Sequence, residues 1–220
     1  MAKRILNMTA EEMTHATKSE LIEAIAGSEG RVLASETIGI TIPLLTDVTN
    51  AEFAASMGAD LILLNMFDVQ EPKIMALPEV EKEETVREVK RLTGRMVGIN
   101  LEPVEESYAS DNKETLWEMS AGRYATVENA IQAQKMGVDL IVLTGNPGNG
   151  VSNPAIISSL KAISEAVGEK IMLAAGKMHA SGIIGEGGEN IITKEDIRQF
   201  AEAGADIILL PAPGTVPGIT

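Results

Sequence analysis

Three apolar runs in the chain share one spelling. Asp60-Leu-Ile-Leu-Leu-Asn-Met66, Asp139-Leu-Ile-Val-Leu-Thr-Gly145 and Asp206-Ile-Ile-Leu-Leu-Pro211 each open on an aspartate and continue apolar, with no alternation of apolar and polar positions. A strand that is apolar throughout is covered on both faces, as in a parallel sheet wrapped by helices. Each run follows a helical stretch that closes on Met57-Gly58, Met136-Gly137 or Ala203-Gly204. Glycine reaches the left-handed conformation without a Cβ clash, so it stops the helix and turns the chain into the strand.

Between these copies the pattern predicts a leading helix over residues 9–26, opened by a capping box of Thr9 and Glu12 and closed at Gly27. A first strand follows over 31–36, then a loop over 37–48, with Thr49 or Asn50 capping a helix over 51–57. A charged helix over 79–93 stops at Gly94, and strand three covers 95–102. Residues 103–125 form the longest insertion and hold the only tryptophan, Trp117; a loop of that length is more often a lid or binding loop than a connector. Thr126 caps the next helix, strand four covers 139–144, a helix follows over 154–167, and strand five covers 171–177. A glycine-rich stretch over 179–192 has the composition of a flap, and Thr193 caps the last helix before strand six.

Strands and helices in unbroken alternation predict right-handed crossovers and a parallel sheet in one α/β domain. Copies at strands two, four and six favour a (β/α)8 barrel of the TIM type, whose interior is layered by alternate strands. The rival doubly wound sheet would need a Gly-x-Gly-x-x-Gly turn after strand one to take a dinucleotide, and none is there. Eight units take about 250 residues. The 220 residues supply six strand-helix units with leading helix 9–26, so a partial barrel is expected, its C-terminal part missing or completed by another subunit. Open sheet edges of that kind point to a homo-oligomer.

Composition narrows the partners. A net charge of -14 repels nucleic acid and anionic membranes, and no apolar stretch is long enough for a membrane span, so a cytoplasmic protein is expected. Small anionic metabolites remain open, since a few amides and cations override the mean field locally. With no cysteine, thiolate nucleophiles and cysteine-ligated metals are excluded.

Barrel chemistry sits at the carboxyl ends of the strands. Those ends carry Glu36, Asn65, Asn100 with Glu102, Thr144, and Lys177 with His179. Residues two apart share a strand face, so Asn100 and Glu102 point one way, as do Lys177 and His179. Strand ends are also polar simply because they meet water. Lys177 follows Leu173-Ala-Ala-Gly176, small apolar neighbours that would lower its pKa and leave an amine able to attack a carbonyl; holding an anion as a cation is the alternative. His179 is a general acid or base, and Glu36 with Glu102 a proton-transfer pair. With Asp68, the same two glutamates would make an oxygen set for Mg²⁺, although no metal is required. Gly145, Asn146, Gly148, Gly150 and Ser152 form a loop that either cradles a phosphate at a helix N-terminus or is only a turn. Gly214 and Thr215 belong to a second such loop, and Arg123 is placed to clamp an anion from the insertion.

The segments Asp47-Val-Thr-Asn50, Leu64-Asn-Met-Phe-Asp68, Gly98-Ile-Asn-Leu-Glu-Pro103, Leu143-Thr-Gly-Asn-Pro-Gly148, Ala175-Gly-Lys-Met-His179 and Pro211-Ala-Pro-Gly-Thr-Val-Pro-Gly218 together resemble an uncharacterised family of bacterial barrel proteins. The resemblance covers essentially the whole chain and implies a barrel about a quarter longer at the C-terminus. That family is sometimes labelled phosphoenolpyruvate-phosphonomutase-like or haloacid-dehalogenase-like. Thr46-Asp-Val-Thr49 lacks the first Asp of the dehalogenase run, and Lys177-Met-His179 lacks the Cys of the lyase loop. The function expected is a barrel enzyme of lyase, aldolase or isomerase type on a small phosphorylated or carboxylated metabolite. The alternative is a sensor or assembly subunit that binds a metabolite without turning it over.

Overall fold

The computed structural model describes residues 3–104, 119–145, 151–176 and 192–212. Its helices are α1 (Ala10–His15), α2 (Lys18–Gly27), α3 (Asn50–Ser56), α4 (Thr85–Thr93), α5 (Val127–Met136), α6 (Asn153–Val167) and α7 (Lys194–Glu202). The strands are β1 (Ala34–Ile38), β2 (Leu61–Asn65), β3 (Met96–Leu101), β4 (Leu140–Leu143), β5 (Met172–Gly176) and β6 (Ile207–Leu209), in one parallel sheet ordered β1-β2-β3-β4-β5-β6. Every crossover therefore steps to the next place in the same direction. A doubly wound sheet reverses its order at a switch point, whereas a β/α barrel does not, so the order decides for the barrel type.

The repeated aspartate has a specific task. Asp60 donates its N–H to the Leu33 carbonyl at 2.8 Å while its Oδ2 accepts the Leu33 N–H at 2.8 Å. Asp139 repeats the ring on Val97, at 2.9 Å and 2.9 Å, and Asp206 repeats it on Leu173, at 2.8 Å and 2.8 Å. Each even-numbered strand is thus fastened at its start to the odd-numbered strand before it. The preceding helix is closed the same way each time: Gly58, Gly137 and Gly204 have φ of 101°, 86° and 106°. The next N–H then bonds five residues back, Ala59 to Ala54, Val138 to Ala133 and Ala205 to Phe200, which satisfies a carbonyl the helix end would leave bare.

Three boundaries differ from the sequence expectation. The leading helix 9–26 is two helices, because Thr17 and Glu20 form a second capping box beside that of Thr9 and Glu12, with Ala16 extended between them. The helix expected over 79–93 starts in earnest only at Thr85, after a 3-10 turn at Lys82–Glu84; neither Glu81 nor Glu84 makes a side-chain cap. Strand one lies two or three residues later than 31–36, since the Asp60 ring holds Leu33 and the ladder begins with Ala34 opposite Leu61. Glu36 consequently sits mid-strand, opposite Leu63, and not at the carboxyl end.

Contacts divide the chain into two compact units. In Met1–Ile99 with Gln132–Leu140 and Glu169–Met172, the core holds Ile62, Leu64, Val86, Val89, Met96, Ile99 and Met136. The Lys90 ammonium is buried there against Asp139 Oδ1 at 2.7 Å. In Asn100–Ile131, Ile141–Gly168 and Leu173–Thr220, α6 turns one stripe inward, Ile156, Leu160, Ile163 and Val167. Burying each such side chain contributes about 1.5–3 kcal/mol.

Candidate functional site

In parallel strands, residues opposite one another present their side chains to the same face. Leu63 lies opposite Gly98. The Asp139 ring sets β4 against β3 as the Asp60 and Asp206 rings set their own pairs, which places Leu140 opposite Gly98, Val142 opposite Asn100 and Thr144 opposite Glu102. Gly98 is small for this reason: a Cβ there would meet Leu140 Cβ at 3.2 Å and Leu63 Cδ1 at 3.2 Å. One face at the carboxyl ends of β3 and β4 thus carries Asn100, Glu102 and Thr144, all buried.

Arg123 completes this group. A 3-10 turn at Ala121–Arg123 is held by Asn129, whose Nδ2 donates to the carbonyls of Ala121 and Tyr124 at 2.8 and 2.9 Å. Tyr124 then bridges Glu102 in parallel, with the Glu102 N–H on the Arg123 carbonyl at 2.9 Å and the Ala125 N–H on the Glu102 carbonyl at 3.0 Å. That backbone pairing delivers the guanidinium, and Arg123 Nη2 donates to Glu102 Oε1 in a pair whose side chains are 6% and 2% exposed. Taking both ions out of water is costly, and only good geometry and further hydrogen bonds offset it. Yet Arg123 Nε and Thr144 Oγ1 are buried without a hydrogen-bond partner among the described residues. Asn153 Oδ1, in the first turn of α6, is in the same condition.

The other expected site residues fall as follows. Gly145 packs so tightly on Val151 that a Cβ would come within 2.3 Å of Cγ2, and Ser152 is the N-cap of α6, accepting the Ala155 N–H at 3.2 Å. Glu36, Asn65 and Asp68 belong to the first unit. Asn65 Oδ1 accepts the Met66 N–H at 2.8 Å, and Asp68 Oδ1 accepts the N–H groups of Gln70 and Glu71 at 2.7 and 2.9 Å, so both shape the turn after β2. Lys177, His179, Asn146, Gly148, Gly150, Gly214 and Thr215 lie outside the described residues.

Two of the three carboxylates suggested for Mg²⁺ already have other work, Glu102 on Arg123 and Asp68 on its turn. No cluster of three His, Asp or Glu that could hold a metal is gathered among the described residues. No helix among the described residues is long and apolar enough to cross a membrane. What sequence reasoning missed is the Glu102–Arg123 pairing and the part of Asn129; a residue at the end of a strand and one 21 positions on, inside the insertion that follows, share no periodic signal.

A family described as "Domain of unknown function (DUF7916)" matches residues 6–220. No curated protein matches the sequence. Among solved structures, the chain resembles 2,3-dimethylmalate lyase, a member of the PEP mutase/isocitrate lyase superfamily, at 12% identity over 91% of this chain and 62% of that one, with a TM-score of 0.52. It also resembles the carboxyl transferase domain of Rhizobium etli pyruvate carboxylase, solved with oxamate and biotin, at 16% identity over 92% of this chain and 30% of that one, with a TM-score of 0.51. These likenesses establish a shared fold. The chain spans less than two thirds of the length of either structure.

Proposed function

The chain belongs to the DUF7916 family, and we propose that it is a β/α-barrel enzyme of lyase or aldolase type acting on a small carboxylated or phosphorylated metabolite. One observation carries the proposal: Arg123 Nε and the Thr144 hydroxyl, both buried and without a hydrogen-bond partner among the described residues, belong to the group that Glu102 joins at the carboxyl ends of adjacent strands. Unsatisfied buried donors are rare in native proteins and mark strain, water or a ligand. Asn100 on the same face would orient that ligand. The two structures of like fold, one a lyase on a dicarboxylic acid and one solved with oxamate, agree with a small-acid substrate.

In this reading Lys177, which follows Gly176 in the sequence, is the electrophile or Schiff-base former and His179 moves the proton. The neutral amine adds to a substrate ketone and water leaves. The iminium then takes up the electron pair of the breaking carbon–carbon bond as the base removes the proton of the hydroxyl on the departing carbon, which leaves as a carbonyl. The enamine left behind takes that proton back on carbon, and water hydrolyses the imine to free the second product and the Lys177 amine. Incubating the protein with a panel of 2-oxo and 2-hydroxy acids and their phosphate esters, followed by proton NMR, should show cleavage products that disappear in Lys177→Met. Borohydride should trap an adduct at Lys177. A panel that yields neither product nor adduct removes the lyase. Ligand-dependent thermal stabilisation without product would instead favour a metabolite sensor or assembly subunit, a reading the mutual neutralisation of Glu102 and Arg123 supports.

A further inference from the structure

We infer that Glu102 is a positioning residue, not a proton-transfer group, and that it presents Arg123 Nε beside the Thr144 hydroxyl as a two-donor cradle for a singly charged carboxylate. This deepens the function proposed above and rests on it. Glu102 holds the guanidinium by Nη2, leaving Nε, on a different nitrogen, as a buried donor with no partner among the described residues. Thr144 lies opposite Glu102 across adjacent parallel strands, which run about 4.8 Å apart, so its hydroxyl comes from the same face. A carboxylate offers two acceptor oxygens in one plane, one for each donor, at about 2.8 Å each.

Charge selects carboxylate over phosphate. Glu102 and Arg123 sum to zero, so this pair of the described residues brings no net charge to offset an anion. The cost of burying an ion climbs steeply with its charge, and a doubly charged phosphate would meet a guanidinium already half-compensated. The protein's overall charge of -14 adds to the same bias. A single negative charge with two good acceptors is what a neutral pair and a hydroxyl can hold.

The test uses the whole protein and three probes, pyruvate, its uncharged amide pyruvamide, and inorganic phosphate, with affinity read from the rise of the unfolding midpoint on titration. Pyruvate should raise the midpoint saturably, phosphate less at equal concentration, and pyruvamide not at all. Thr144→Val keeps the shape and removes the hydroxyl, so pyruvate affinity should fall about tenfold or more, while Thr144→Ser should bind within about threefold of the parent. Glu102→Gln keeps an oxygen for Arg123 and makes the cradle cationic. Phosphate affinity should then rise about tenfold relative to pyruvate, a change of preference that a merely structural glutamate would not produce. The inference is overturned if the parent ignores pyruvate or prefers phosphate, if Thr144→Val binds like the parent, or if Glu102→Gln leaves the preference unchanged. Turnover is read separately, so a protein that binds pyruvate as described but yields no product defeats the lyase and leaves the cradle standing.

Discussion

Asp60, Asp139 and Asp206 look interchangeable as strand openers, yet their surroundings differ enough to give different mutational costs. Each accepts a backbone N–H at the start of the strand before it, that of Leu33, Val97 or Leu173. Removing that acceptor strands a backbone donor, so Asp206→Ala should cost about 1–3 kcal/mol in urea denaturation, while Asp206→Asn, which keeps a carbonyl oxygen, should cost less than half as much. Asp139 alone is also buried against Lys90, and burial pushes its carboxyl pKa above the usual aspartate value, against the opposing pull of the Lys90 ammonium and the Val97 N–H. A raised folded pKa means this group favours the native state most when protonated, below the ordinary 3.8, and that this contribution is lost as pH rises through the folded value. Lys90→Met takes away the cation and leaves an uncompensated buried carboxylate. It should cost about 3–5 kcal/mol at neutral pH and much less in acid, where Asp139 is neutral, as chemical denaturation at a series of pH values will show.

At the scale of the element, the glycine stop is the part of the fold most legible in the sequence, because φ above zero is a local demand that few other residues meet. The three stops are nonetheless not equally replaceable. Nothing among the described residues lies within 4 Å of a Cβ built on Gly58, so Gly58→Ala should show only the backbone cost, about 1–2 kcal/mol. At Gly204 the same atom would come within 2.3 Å of Ser164 Oγ and 2.7 Å of its Cβ, so Gly204→Ala should cost clearly more, with part of the loss recovered in Gly204→Ala/Ser164→Gly. Caps were legible for the same local reason, Thr9, Thr49, Thr126 and Thr193 among them. The break at Ala16 was not, because the second box at Thr17 and Glu20 hides inside a run that also reads as continuous helix. The first box adds a charge that the pattern alone does not assign. Lys3 lies on Glu12 at 2.6 Å and, with the Thr9 N–H, holds that carboxyl down to about 2. A depressed folded pKa contributes stability that is present above the ordinary 4.5 and lost as pH falls through about 2. Carbon-detected NMR should place the Glu12 midpoint near 2, and Lys3→Met should move it upward, since the bond to Lys3 is the largest cause.

Across the whole molecule, the alternation of strand and helix is legible in the sequence because the repeated strands are announced by helix stops, whereas the pairing of Glu102 with Arg123 is not, because it depends on where an aperiodic insertion returns to the sheet. The ends of the order, β1 and β6, are both only partly covered. In β6 the sequence pattern and the burial diverge, since Ile207–Leu209 is spelled like an inner strand yet is half-buried throughout. Strand β1, Ala34-Ser-Glu-Thr-Ile38, is polar in its spelling as well as partly exposed, and Leu33 beside it is 56% exposed. After β1 come Ile40, Ile42, Leu44 and Leu45, all exposed, with Ile42 at 85%. An apolar border next to a strand edge favours association between copies, while a charge of -14 opposes it by long-range repulsion. Salt separates the two, because the Debye length falls from about 10 Å at 0.1 M to about 3 Å at 1 M while apolar contact is not weakened. Light scattering should therefore report increasing attraction between molecules as sodium chloride is raised. Ile42→Glu/Leu44→Glu should abolish that trend with less than about 0.5 kcal/mol change in folding stability at either site, since both side chains already lie in solvent. If the double variant attracts as strongly as the parent at high salt, the border is not what brings the copies together, and the edge of β6 with the exposed Leu210 becomes the surface to change next.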